Sequence, residues 1–145
     1  MVVTYVMGNK ASVNKIGYDD IQYIFNCNKD FIIINTLPDN EQSCIIEHTV
    51  TPKNEVEIIN KAMGKTSLYI VIYGKNCTDD TIYKKYHTLC GLGFINVFVY
   101  PGGLFEWLCL QDIYGDEHFP TTSKEKDILK YRSPLTLNKL LLSDR

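Results

Sequence analysis

The sequence predicts an α/β fold: a central, mostly parallel five-stranded sheet flanked by helices on both faces. Three observations carry this. Short apolar runs alternate with segments of helical period, the pattern of strands joined by crossover helices. Phe31 to Asn35 (FIIIN) and Ser67 to Tyr73 (SLYIVIY) are nearly continuous apolar runs, as strands covered on both faces require. Proline and glycine stand at the boundaries between the two kinds of segment.

Taken in order, Val2 to Met7 reads as an opening strand. Asp19 to Asn26 reads as a short helix with Ile21, Ile24 and Phe25 on one face. FIIIN is the next strand, Pro38 to Ser43 is polar and turn-like, and Cys44 to Val50 has room for another short strand. Thr51 then caps a helix with Pro52 in its first position, Val56, Ile59 and Met63 on its apolar face and Gly64 at its end. SLYIVIY is the strongest strand. The loop Gly74 to Asp79 leads from it into a helix carrying Ile82, Tyr86 and Leu89 on one side, stopped by Gly91 and Gly93. Ile95 to Tyr100 is a further strand. Pro101, Gly102 and Gly103 turn the chain into a helix over Leu104 to Tyr114, with Leu104, Trp107 and Leu108 inward. Residues 1–120 make one domain. Residues 121–145 make a more polar C-terminal extension in which Ser133 and Pro134 open an amphipathic helix through Leu135, Leu137, Leu140 and Leu141.

The 145-residue length suits one domain, and 45% hydrophobic residues suffice for one core. A net charge of −2 and scattered lysines argue against nucleic acid or a membrane surface as partner. Lys124, Lys126 and Lys130 are interrupted by Glu125 and Asp127 and read as a solvated face. No apolar run is long enough to span a bilayer. The N-terminus lacks the pattern of a secretory signal, so the expectation is cytoplasmic. Five cysteines, at 27, 44, 77, 90 and 109, form no CxxC pair, which gives no support for a metal site and fits reduced thiols. No cofactor motif is present: GKNCTDD lacks the second element of a phosphate-binding P-loop.

Three segments together resemble the rhodanese (sulfurtransferase) superfamily: FIIINTL at 31–37, IVIYGKNCTDD at 70–80 and LGFINVFVYPGGLFEW at 92–107. The likeness runs from about Ile16 to Ile113, and its most specific part is the third segment, with Gly-Phe, an apolar strand, Gly-Gly and aromatic-Trp. Gly102, Gly103 and Trp107 read as turn and core residues, so this motif speaks to fold and not to activity. Asn35, Thr36 and Leu37 stand where the family usually has an Asp-Val-Arg-like triplet.

The resemblance implies an active-site loop of Gly74, Lys75, Asn76, Cys77, Thr78, Asp79 and Asp80. In the family this loop opens with a nucleophilic cysteine and cradles an anion with backbone N–H groups at a helix start. Aligned on Tyr73, that cysteine's position holds Gly74. The only arginines are Arg132 and Arg145, outside the loop. Asp79 and Asp80 bring two carboxylates to the helix start, and Lys75 offsets one of them. The expectation is a module without sulfurtransferase activity that binds or regulates an unidentified protein partner. The alternative is a sulfurtransferase carrying persulfide on Cys77, the loop's only thiol. A phosphatase would need both the first cysteine and a loop arginine. Cys27, Cys44, Cys90 and Cys109 read as small core residues. His48, His87 and His118 read as structural or solvated, the last beside Asp116 and Glu117.

Overall fold

The computed structural model describes residues 12–143. Its sheet has four strands: β1 Phe31–Asn35, β2 Thr49–Val50, β3 Tyr69–Tyr73 and β4 Val97–Tyr100, all parallel, in the order β2-β1-β3-β4. Five α-helices accompany them: α1 Tyr18–Phe25, α2 Pro52–Ala62, α3 Thr81–Gly91, α4 Gly103–Tyr114 and α5 Leu137–Ser143. Four strands replace the expected five. The fifth expected strand, Val2 to Met7, lies outside the described residues. Among the described residues, β4 carries one parallel bridge on its outer side, Lys15 to Val99, with Ile16 N–H donating to Val99 C=O and Val99 N–H to Asn14 C=O, each at 2.9 Å.

Because side chains alternate along a strand, the sheet divides the core into two layers. Ile32, Ile34, Ile70, Ile72, Val97 and Val99 pack against Ile59 and Ala62 of α2 and Ile82, Tyr86 and Leu89 of α3. Ile33, Val71, Tyr73 and Tyr100 face Ile21 of α1 and Leu104, Trp107 and Leu108 of α4, with Phe119 and Tyr131 closing that layer. Both faces of the sheet's centre are thus covered, which is why Ile32 to Ile34 and Ile70 to Ile72 are apolar throughout. Trp107 is fully buried, and its indole N–H donates to Pro120 C=O at 3.1 Å.

On α2 the buried stripe is Ile59 and Ala62, with Ile58 packed beside it, while Val56 and Met63 are exposed. The observed face is turned from the predicted one because Ala62, a weak hydrophobic signal, marks the side that meets the sheet. Thr51 occupies the N-cap position without a side-chain cap bond, and Gly64 follows the helix at φ 87°. The C-terminal helix is shorter than predicted, and Leu135, Leu137 and Leu141 are exposed rather than packed. Residues 119–131, by contrast, run along the domain. Thr122 N–H donates to Ile45 C=O at 2.9 Å, Ile46 bridges Thr121 antiparallel, and Tyr131 is 1% exposed.

Tyr73 joins the sheet's centre to its edge. Thr49 Oγ1 donates to Ile46 C=O at 2.5 Å, so the Tyr73 hydroxyl donates to Thr49 Oγ1 at 2.8 Å and accepts the Ile46 N–H at 3.1 Å. Burial drives the phenol far above its ordinary value near 10, although these bonds pull the other way. In the unfolded chain the phenol ionises near that ordinary value, so the native state retains its proton more tightly and stability falls as pH rises past about 10. Tyr73→Phe is expected to cost about 1–3 kcal/mol at neutral pH, because the Ile46 N–H loses its partner in the core. The same variant should flatten the alkaline decline. Urea titrations of both proteins across the alkaline range check the two outcomes together.

Candidate functional site

In the parallel register Asn35, Tyr73 and Tyr100 stand side by side at the carboxyl ends of β1, β3 and β4. The loop 74–80 leaves the sheet at this edge, beside the point where connections diverge to opposite faces. Open α/β sheets place ligands at such a position.

The loop lies against the start of α4. Leu104 N–H donates to Gly74 C=O and Phe105 N–H to Lys75 C=O, both at 2.9 Å, so two of the helix's unpaired amides are satisfied by the loop. This demands glycine at 103. Its φ is +69°, and a Cβ there would lie 2.8 Å from Gly74 O and 3.0 Å from Asn76 N. Gly103 therefore does more than turn the chain: it lets two backbones touch.

Asn76 organises the loop's interior and is 5% exposed. Its Oδ1 accepts Thr78 N–H at 3.0 Å and Thr78 Oγ1 at 2.7 Å, while its Nδ2 donates to Tyr131 C=O at 3.0 Å. Its own carbonyl accepts the Asp79 N–H at 3.1 Å.

Asp79 turns back into the loop. Oδ2 accepts Lys75 N–H at 2.9 Å, and Oδ1 accepts Thr81 N–H at 3.0 Å and the Thr81 hydroxyl at 2.5 Å. Thr81 Oγ1 also lies 2.7 Å from Thr36 Oγ1. A Cβ on Gly74 would stand 2.5 Å from Asp79 Oδ2, 2.9 Å from its Cγ and 3.0 Å from Thr36 Oγ1. The Asp79 carboxylate thus fills the space into which any side chain at position 74 would project.

Asp80 plays a different part: it caps α3 by position, with no side-chain cap bond, and its carbonyl accepts the Tyr83 N–H at 3.1 Å. Lys75 does not offset either aspartate as the sequence suggested. Its Nζ is 3.1 Å from Glu41 Oε1, on the 3₁₀ turn Asp39–Glu41. A carboxylate 34 residues upstream in sequence is not visible in a local charge pattern. Arg132 Nη1 donates to Leu129 C=O at 2.8 Å, within its own turn, and Arg145 lies outside the described residues.

Cys77 is exposed, and its Sγ is 3.9 Å from Ser133 Oγ in the C-terminal segment. Cys44 is buried and donates to Ser123 C=O at 3.3 Å, and Cys27 and Cys109 are half-buried. Cys90 is exposed, against its reading as a core residue, because its neighbour Leu89 takes the inward face of α3. Burial first, then Asp112 and Glu106, raise the Cys109 thiol pKa. His87 is exposed, while His48 packs edge-on against Phe25 and Phe31 at φ 72°. Among the described residues no group of three or more His, Cys, Asp or Glu is placed to hold a metal ion, and no helix is long and apolar enough to cross a membrane.

Beside the loop a polar cleft of about 420 Å³ opens between β1 and α3, lined by Asn35, Thr36, Thr81 and Lys84 among others. Lys85 on its wall is ion-paired to Glu55 of α2. Thr36, Thr81, Glu41 and Tyr131 all shape the site. Sequence reasoning missed the roles of all four, because each acts through a contact between segments distant in the chain or a turn that spacing does not reveal.

Two outcomes follow from this geometry. Gly103→Ala should lose about 1–3 kcal/mol in urea denaturation, since alanine at positive φ is strained and its methyl meets backbone. Timed alkylation of the native protein, read by peptide mapping, should modify Cys77 and Cys90 first, Cys109 more slowly, and Cys44 only on unfolding.

No protein-family model matches the chain, and no curated protein matches it in sequence. Solved structures do. Alr3790 from Anabaena sp. aligns with TM-score 0.54 and 19% identity over 73% of this chain and 89% of its own. BH2092 from Bacillus halodurans aligns at 0.57 and 16%, over 96% of each chain. Saccharomyces cerevisiae Ygr203w, described as a homolog of single-domain rhodanese and the Cdc25 phosphatase catalytic domain, aligns at 0.58 and 13%, over 86% of this chain and 95% of its own. At these identities the likeness is one of fold, and the parallel sheet with helices on both faces supports a rhodanese-like fold for this chain.

Proposed function

We propose that the chain is a rhodanese-like module without sulfurtransferase activity, which acts in the cytoplasm by binding a protein partner. The proposed domain is residues 1–120, and of the extension 121–145 the segment to Tyr131 packs against it, with the Tyr131 ring in its core layer. The observation that supports this most directly is the Asp79 carboxylate. In the alignment drawn from sequence, position 74 is where the nucleophile would stand. Here it is a glycine, and the space for its side chain contains a carboxylate already bonded to Lys75 N–H and Thr81 N–H. An external oxyanion would meet both a filled site and like charge. The loop's one lysine is committed to Glu41.

The second reading, a persulfide carrier, is favoured by the exposure of Cys77. Its chemistry would be simple. The Cys77 thiolate attacks the outer sulfur of thiosulfate, the S–S bond of thiosulfate breaks, and sulfite leaves with the bonding pair. Against it, the loop's Lys75 N–H and Thr78 N–H are already given to Asp79 and Asn76, and the neighbour of Cys77 Sγ is the Ser133 hydroxyl.

Intact-protein mass after incubation with thiosulfate, followed by peptide mapping, separates the readings. The expected result is no sulfur adduct on any cysteine of the folded protein, and identical behaviour of Cys77→Ser. An adduct on Cys77 that disappears in Cys77→Ser but persists in Cys90→Ser would establish the carrier instead.

A further inference from the structure

The C-terminal segment meets the loop at two adjacent points. Asn76 is the first. Its Oδ1 holds the loop's own turn through Thr78, while its Nδ2 donates to the carbonyl of Tyr131. One buried amide therefore bridges the loop and a segment 55 residues later. The second is Cys77, whose Sγ is 3.9 Å from Ser133 Oγ. The segment between is firmly placed at one end only. The Tyr131 ring is 1% exposed and belongs to the core layer of Tyr73 and Trp107. Arg132 then leaves in an extended conformation, φ −65° and ψ 161°, and Leu135, Leu137 and Leu141 beyond it are exposed.

We propose that Tyr131 to Ser133 is a strap across the loop, which holds residues 75–79 in their ordered arrangement. The physical reason is that the Asn76 amide is buried. With the strap in place both of its ends are bonded. With the strap displaced, its N–H group is left in the interior without a partner, so the turn it organises through Oδ1 is no longer favoured in that position. Loop and strap therefore order together or loosen together. This rests on the reading of the loop as the functional face of the module, and it names what would control that face: displacement of the chain's own C-terminal segment.

Ser133→Cys tests the geometry. The Ser133 hydroxyl that a thiol would replace lies 3.9 Å from Cys77 Sγ, and a disulfide between them needs roughly 2.0 Å. Mild oxidation should give an intramolecular 77–133 disulfide by peptide mapping, and amide exchange across 75–79 should be slower in the oxidised than in the reduced protein. Asn76→Asp is the complementary variant. It keeps an acceptor for Thr78 but turns an oxygen toward the Tyr131 carbonyl. Exchange should accelerate about tenfold in both 75–79 and 130–136, the effect of one lost hydrogen bond. A residue that merely shaped its own turn would leave 130–136 unchanged. Failure of the folded Ser133→Cys protein to cross-link, or loosening by Asn76→Asp confined to the loop, would overturn the strap. Neither outcome touches the thiosulfate result, and a persulfide on Cys77 would overturn the non-catalytic reading without touching the strap.

Discussion

The backbone of Gly103 rests on the backbone of Gly74 through Asn76, and most of the site's geometry follows from that contact. With no Cβ at 103, the start of α4 approaches closely enough for Leu104 and Phe105 N–H to reach the loop's first two carbonyls. Those two bonds fix where the loop begins relative to the sheet. Asn76 is then driven into the interior, where its amide must find partners on both sides. It finds them in Thr78 and in Tyr131. Lys75 N–H in the loop and Thr81 N–H at the start of α3 both meet the Asp79 carboxylate.

An internal carboxylate has an advantage over any free anion. Asp79 is tethered four residues from Lys75, so its effective concentration at the loop amides is on the order of mM or higher without any external supply. Its charge also stands at the start of α3, where the helix dipole favours it. A free oxyanion would have to displace a bonded carboxylate and leave it nearby as a repelling neighbour. This obstacle is separate from the absence of a side chain at position 74. The loop is occupied by its own sequence, and its geometry is preserved by that occupancy.

Much of this was legible in the sequence, for reasons that can be named. β1 and β3 announced themselves because burial on both faces removes polar residues. α3 and α4 followed from apolar positions three and four residues apart, and Ile82, Tyr86, Leu89, Leu104 and Trp107 all point inward as their spacing required. The face of α2 was misplaced because a small residue, Ala62, faces the sheet where the larger Val56 and Met63 do not. Short β2 was barely visible, since only two residues pair with β1, with Thr49 tied further by the Tyr73 hydroxyl. At the site, the unusual pair of aspartates could be read, but not that Asp79 alone turns inward while Asp80 does not. Nor could the sequence reveal that Lys75 belongs to Glu41. Such pairings are decided by tertiary placement, which local charge counting does not see.

The residues that build this fold and the residues that would perform chemistry on it are largely separate. Apolar strands, the Gly103 contact and buried Trp107 each contribute through packing or backbone conformation, and none depends on what stands at position 74. Glycine at 74 does not weaken the loop, because Asp79 supplies the bonds to Lys75 and Thr81 that keep it ordered, and Tyr131 supplies the bond that keeps Asn76 in place. The loop is thus held by interactions that an empty anion cradle would lack. An ordered loop beside a polar cleft is a surface that another protein can recognise, whether or not any bond is broken there.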